Sequence, residues 1–214
     1  DFCSLNLGDW VGITGVRMTT RRGELSIRVD QWVRLAEARR PFPDKWHGIT
    51  DTDTRYRQRY VDLWVTPESR NAFMMRSKMM SLTRHFLEER GFIEVETPIF
   101  HPIPGGANAR PFTTHHNALD LELYMRVAPE LYLKRLTVAG FDKVFELGRV
   151  FRNEGVSTRH NPEFSMLELY QAYADYEDIM NLVEELVEYL AIELTGSTVL
   201  HFGDKPLDVA RPRR

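Results

Sequence analysis

The chain has 214 residues, 43% hydrophobic and 28% charged, with a formal net charge of −3. That suits one large or two small domains of a soluble globular protein, and it argues against nucleic-acid affinity through bulk charge while leaving room for a local basic patch. The single cysteine, Cys3, excludes an internal disulfide and a cysteine-rich zinc site, and it favours a reducing compartment. A cytoplasmic location is expected. No apolar run reaches the roughly 18–20 residues of a membrane span, and the opening DFCSLNLGDW has no basic-then-apolar leader, so no membrane contact is expected from this segment. The first residue is not methionine, which leads us to expect a portion of a longer chain.

Residues 5–35 read as short strands. GDWVGITGVRM breaks at its glycines, Arg22-Gly23 marks a turn, and Leu25, Ile27 and Val29 alternate with Ser26, Arg28 and Asp30. Two or three strands cannot complete a barrel, so an edge hairpin of the main domain and a piece of a separate small barrel both remain open. Pro41-Phe42-Pro43 and the polar run to Asp53 read as an interdomain linker. TRYRQRYVDLWV, residues 54–65, reads as a short helix or an extended arm. Arg55, Arg57 and Arg59 read as a solvated basic face, with a structural or dimer-contact role as the alternative.

A helix is predicted over 67–90, with Thr66 as cap, Pro67 in its first turn and Gly91 ending it. Ala72, Met75, Met79, Leu82 and Phe86 share one face, and such a stripe reads as core. GFIEVETPIF, 91–100, reads as a strand that stops at Pro98, and PIPGGANARPF, 102–112, as a loop whose glycines permit close approach to a ligand. HHNALDLELYMRV reads as two strands around a turn at Asn117; His115 and His116 lack further ligands at a recognisable metal spacing. APELYLKRLTVAGF, 128–141, reads as a helix with Leu131, Leu133, Leu136 and Val138 inward and Glu130 in its first turn, where the helix dipole favours a carboxylate. The long helix of ADYEDIMNLVEELVEYLAIELTG lines Ile179, Leu182, Val183, Leu186, Leu190 and Leu194 on one face. One strand and a basic tail, VARPRR, close the chain.

The most informative stretch is FELGRVFRNEGVSTRHNPEFSMLELY, Phe145 to Tyr170, which reads as two strands around a loop. Side chains alternate on a strand, so Gly148, Val150, Arg152 and Glu154 share one face of the first, and Phe164, Met166, Glu168 and Tyr170 one face of the second. If these faces coincide, a guanidinium, two carboxylates, a phenol and an aromatic ring converge beside a loop bearing Arg159, His160 and Asn161. Such a set suits a ligand with anionic phosphates, a flat base and an ammonium group. A solvated hairpin with charges on its wet face is the plainer reading of the alternation alone.

Phe-Arg-x-Glu followed by Arg-His-x-x-x-Phe resembles motif 2 of the class II aminoacyl-tRNA synthetases, at about 144–172, and RNEGVSTRHNPEF with Glu168, Tyr170 and AYADY resembles the lysyl-tRNA synthetases in particular. The helix, Gly-aromatic pair, strand and terminal proline of 67–100 resemble motif 1, and PGGANARPF and APELYLKRL resemble the lysyl family as well. LGDWVGITG...GELSIRVDQW with RPFPDKWHGITD resembles the end of that family's anticodon-binding OB-fold. The resemblance implies an α+β fold, an antiparallel class II sheet flanked by helices and preceded by a partial OB-fold β-barrel. The implied domains are 1–43 (end of the OB-fold), 44–66 (linker or arm) and 67–214 (first part of the catalytic domain).

The implied activity is ATP-dependent activation of L-lysine to lysyl-adenylate and its transfer to tRNA(Lys), by a homodimer using ATP and Mg2+. The resemblance implies Arg152 as the catalytic residue, on the α-phosphate and the amino-acid carboxylate. It assigns Glu154 and Asn161 to the adenine, Phe164 to stacking on it, and Arg159 and His160 to the outer phosphates. For lysine it implies Gly106, Glu130, Arg152, Glu168 and Tyr170, and for the dimer interface Phe92 and Pro98. No metal ligand within this chain is implied. The family's third motif, a Gly-rich strand with an ATP-clamping arginine, does not occur in these 214 residues, so the portion alone is expected to be poorly active. Other readings are a synthetase-like domain fused to a lysyl-lipid-modifying membrane protein, a paralog that lysylates a protein, and a non-catalytic dimerising fragment. The OB-fold-like residues 5–35 argue against the protein-modifying paralog.

Overall fold

The computed structural model describes residues 2–40, 43 and 48–211, and the chain divides into two compact units, Asp1–Met74 and Met75–Arg214. In the first unit β1 (Trp10–Thr19) and β2 (Leu25–Ala36) pair antiparallel around the turn predicted at Arg22-Gly23, as long strands rather than short ones. Asp9 closes the open end of this ribbon, accepting from the amides of Asn6 at 3.0 Å and Ala38 at 2.6 Å. The ribbon is a sheet of its own, which removes the edge-hairpin reading, and among the described residues no third strand joins it. Two strands cannot cover themselves, so Trp10, Val16, Leu25, Ile27, Val33 and Leu35 are all exposed.

The short-helix reading of 54–65 holds, as two helices that begin at the end of the expected linker. Pro41, Phe42 and residues 44–47 lie outside the described residues, but α1 (Thr52–Arg57) and α2 (Arg59–Val65) follow, with Asp51 capping α1 through the Thr54 amide at 2.7 Å. Asp62 is fully buried and carries most of the basic stretch. Arg55 Nε donates to its Oδ1 at 3.0 Å, Arg59 pairs with the other oxygen, and the Thr66 hydroxyl donates to Oδ1 at 2.9 Å. Two of the three arginines read as solvated are therefore structural, since a buried carboxylate demands charged partners. Arg57 alone stays with an exposed partner, Asp53.

The helix α3 (Pro67–Glu88) has nearly its predicted extent. The Met-rich stripe does not form core: Met75 and Met79 are exposed, together with Phe73 and Met74, and apart from Ser69 in the first turn the buried residues of the helix are Thr83, Phe86 and Leu87. The strand expected over 91–100 is two short pieces, β3 (Ile93–Glu94) and β4 (Phe100–His101), with Pro98 between them. They join different sheets. One has the order β3-β7-β8, where β7 is Lys143–Phe151 and β8 Glu163–Gln171; the other has the order β4-β6-β5, where β5 is Thr113–His116 and β6 Leu121–Met125. The β3–β7 contact is parallel and every other pairing here is antiparallel, so the fold is α+β as expected, with that one departure.

In α4 (Glu130–Val138) Leu133 is fully buried, but Leu131 and Val138 are exposed rather than inward. In α5 (Tyr176–Thr195), which opens on a capping box at Asp175, Leu186 is core and Val183 is exposed. The chain end holds two strands, β9 (Val199–Phe202) and β10 (Lys205–Asp208), rather than one, and residues 212–214 of the basic tail lie outside the described residues.

Phe86, Leu87, Phe92, Phe145 and Leu186 form the core, joined by Leu167 and Leu169, so one face of the β7–β8 pair packs against α3 and α5 and the other is left for the site. Phe92, expected at a dimer contact, is only 3% exposed within this cluster, so its side chain is taken up inside the chain, whereas Pro98 is exposed. Truncating Phe86, which also stacks on Tyr189 at 5.3 Å between centroids, should lower the unfolding free energy by about 3–5 kcal/mol in urea titrations. A loss below about 1 kcal/mol for Phe86→Ala would contradict this core.

Candidate active site

The register of β7 and β8 decides which side chains meet. Val144 lies opposite Tyr170, Glu146 opposite Glu168, Gly148 opposite Met166 and Val150 opposite Phe164, and residues directly opposite share a face. The Arg152 amide donates to the Pro162 carbonyl at 2.8 Å, so pairing runs one residue past β7 and brings Arg152 to that face. Its Cζ stands 5.3 Å from the centroid of the Phe164 ring. A cavity of about 350 Å3 opens here, lined by Arg152, Glu154, Gly155, Arg159, His160, Asn161 and Phe164. Since β7 ends at Phe151, Glu154 belongs to the loop rather than to an extended strand.

Ser157 shapes the loop, a role the sequence reading missed although serine commonly opens tight turns. The Ser157 amide donates to the His160 carbonyl at 3.1 Å, and Ser157 Oγ accepts from the Arg159 amide at 3.2 Å. The same hydroxyl lies 2.8 Å from His160 Nδ1, so Ser157 and His160 are hydrogen-bonded across the loop. A second, polar cleft of about 620 Å3 lies against Asn108, Ala109, Arg110, Asn153, Glu154 and Gly155. There the Asn153 amide donates to the Arg110 carbonyl at 2.8 Å and the Arg110 amide to Glu154 Oε1 at 3.3 Å, tying the 102–112 loop to the end of β7.

Gly106, Glu130, Glu168 and Tyr170 occupy the other end of the site. Gly106 has φ 90°, and a Cβ there would stand 3.1 Å from Glu130 Cβ and 3.3 Å from Ala128 Cβ, so the loop rests directly on the start of α4. Glu130 accepts from Lys134 Nζ at 2.6 Å, and that ammonium lies 6.0 Å from the Tyr170 ring centroid. Among the described residues two buried side-chain polar atoms have no hydrogen-bond partner, Arg152 Nε and Glu168 Oε2. Burial pushes the Glu168 carboxyl above the ordinary carboxylate range and the Glu130 charge adds to this, while a hydrogen bond from Tyr170 acts the other way. Burial and then the charges of Glu168 and Glu130 raise the Tyr170 phenol.

Sequence reasoning also missed a buried network beneath the site. Arg126 is paired with Glu146, both almost fully buried; Arg126 Nε donates to the Arg149 carbonyl at 2.8 Å, and the Thr97 hydroxyl donates to Glu146 Oε2 at 2.6 Å. Arg126 and Glu146 are 20 residues apart, a separation no periodicity marks. Gly148 was the available signal: a glycine inside a strand often marks a close approach, and a Cβ here would lie 2.4 Å from the Arg126 guanidinium. Of the carboxylates at this end of the site, Glu130 holds Lys134, Glu146 holds Arg126, and Glu168 presents an oxygen with no partner.

A family model described as "tRNA synthetases class II (D, K and N)" matches residues 51–212. The chain belongs to the class II tRNA synthetases. It is similar to proteins named lysine–tRNA ligase from Shouchella clausii, 57% identical over 209 residues, from Carboxydothermus hydrogenoformans, 55% over 211, and from Bacillus subtilis, 57% over 208. These matches cover 98%, 99% and 97% of this chain, and 42%, 43% and 42% of the relatives. The chain thus spans less than half the length of the relatives it matches. The Arg152–Phe164 cavity lies on the β7–β8 hairpin, within the residues that the family model matches.

The raised Glu168 carboxyl has a sign that can be checked. The folded chain keeps this proton over a range where the unfolded chain has released it, so stability falls as pH rises from the ordinary carboxyl range through the raised value and is flat above it. Glu168→Gln removes that penalty. Its thermal unfolding temperature at about pH 7 should exceed that of the wild type, and the difference should shrink towards about pH 4; a lower temperature at neutral pH would contradict the assignment.

Proposed function

We propose that this chain carries the ATP- and lysine-contacting part of a lysine–tRNA ligase. The lysine carboxylate attacks the α-phosphorus of ATP, releasing pyrophosphate, and the lysyl group then passes to a terminal hydroxyl of tRNA(Lys). Chemistry of this kind depends on positioning and charge stabilisation more than on covalent help from the protein. The observation that carries the reading is Glu168 Oε2, a buried carboxylate oxygen with no partner on the same sheet face as the unpartnered Arg152 Nε. The family description covers D, K and N, and of these side chains only that of lysine brings the positive charge that offsets a buried carboxylate.

ATP fits the other end. Arg152 offers an unused buried donor for the α-phosphate and the lysine carboxylate, and Phe164 offers a ring for the adenine, with Glu154 and Asn161 at its edge. Arg159 and His160, the latter held through Nδ1 by Ser157, face the outer phosphates. Gly106, Glu130 and Tyr170 frame the amino acid, Glu130 taking the α-ammonium. Magnesium would accompany the ATP phosphates and neutralise part of their charge.

A homodimer is part of the same proposal, formed over the exposed apolar surface of α3 and Pro98. Residues 1–43 would belong to an anticodon-binding OB-fold. A cytoplasmic location is proposed with it; no described helix is long and apolar enough to cross a membrane. Calorimetry with lysine and a non-hydrolysable ATP analogue tests the reading. Glu168→Gln should weaken lysine by about 2–5 kcal/mol and leave the nucleotide unchanged, whereas Arg152→Ala should weaken both. Unchanged lysine affinity in Glu168→Gln would contradict it.

A further inference from the structure

We infer that Arg126 is a positioning residue: by holding Glu146 in a buried ion pair, it leaves Glu168, of the two carboxylates that face each other across β7 and β8, open to an ammonium ligand. The inference rests on the proposed function only for the identity of that ligand. Glu146 and Glu168 are direct cross-strand partners on β7 and β8, and two like charges so placed disfavour each other. Without a cation between the strands, the two carboxyls would titrate as a coupled pair and retain a shared proton. A protonated Glu168 would be a poor partner for an ammonium group.

Arg126 opposes that conflict, its charge acting on Glu168 against that of Glu146. Its guanidinium is committed to Glu146 and to the Arg149 carbonyl, and Thr97 takes the second oxygen of Glu146, so Glu146 is satisfied. Gly148 lets the guanidinium lie across β7. The backbone fixes the same residue: its amide donates to the Ile99 carbonyl, and its carbonyl accepts from the Phe151 amide, both at 2.9 Å. Arg126 therefore stands one residue from Arg152 on one side and one strand from Glu168 on the other. The remaining charged or titratable groups that bear on Glu168 are Glu130 from α4, which holds Lys134, and Tyr170 from β8 itself.

The test follows the Glu168 carboxyl by NMR in ligand-free protein carrying 13C-carboxyl glutamate, its resonance identified by its loss in Glu168→Gln. In Arg126→Met Glu168 should titrate at higher pH than in the wild type. The double variant Arg126→Met, Glu146→Gln should return towards the wild type, a rescue that a purely structural role would not give. Glu146→Gln alone keeps the side-chain shape and leaves Arg126 uncompensated, so Glu168 should titrate at lower pH; this variant carries the test if Arg126→Met does not fold. At about pH 6 lysine should bind roughly tenfold more weakly to Arg126→Met and recover in the double variant. An unchanged Glu168 titration in either folded single variant overturns the inference. If Glu168 shifts as described but the wild type does not bind lysine, the ligand assignment falls and the positioning role stands.

Discussion

The antiparallel register of β7 and β8 is the constraint on which the site depends. A slip of one residue would exchange the two faces, sending Glu168 and Phe164 into the core and Leu167 and Leu169 out to the site. The register is held because one face is apolar: Phe145 and Leu169 meet Phe86 and Leu186 across it. Packing on one side of the sheet thus places chemistry on the other. Arg152 and Glu168 are aligned by a core that neither of them joins.

The site stores unfavourable terms that the core must offset. A guanidinium nitrogen and a carboxylate oxygen are buried without partners, while Glu146 is neutralised by a buried arginine and Glu130 by a lysine that is half exposed. In a protein selected for stability alone such groups would be paired or exposed. Here they mark where a ligand with one negative and one positive end would complete the hydrogen bonding. The Arg126–Glu146 pair is the converse case, a fully internal charge pair whose partners come from two sheets and whose value lies in what it leaves unpaired nearby.

Much of this was legible in the sequence because it is local. Alternation along Phe145–Tyr170 placed Arg152, Phe164, Glu168 and Tyr170 on one face, provided the strands paired in register, and that condition is met. Glycine and capping signals bounded α3 and α5. What escaped was set by tertiary contact. Arg55 and Arg59 looked like a wet basic face until Asp62 proved buried beneath them, and Met75 and Met79 looked like core until α3 proved to have nothing over its middle. Arg126, Glu146 and Thr97 come from three separated segments, and no spacing rule brings them together.

The central claim is that one sheet face orders lysine and ATP between Glu168 and Arg152. A co-crystal structure with L-lysine and a non-hydrolysable ATP analogue tests it most directly. The account places the lysine ε-ammonium within about 3 Å of Glu168 Oε2 and the α-phosphate against Arg152, with the adenine on Phe164. A nucleotide seated instead in the polar cleft of Asn108 and Arg110, or a lysine whose ε-ammonium lies away from Glu168, would contradict it.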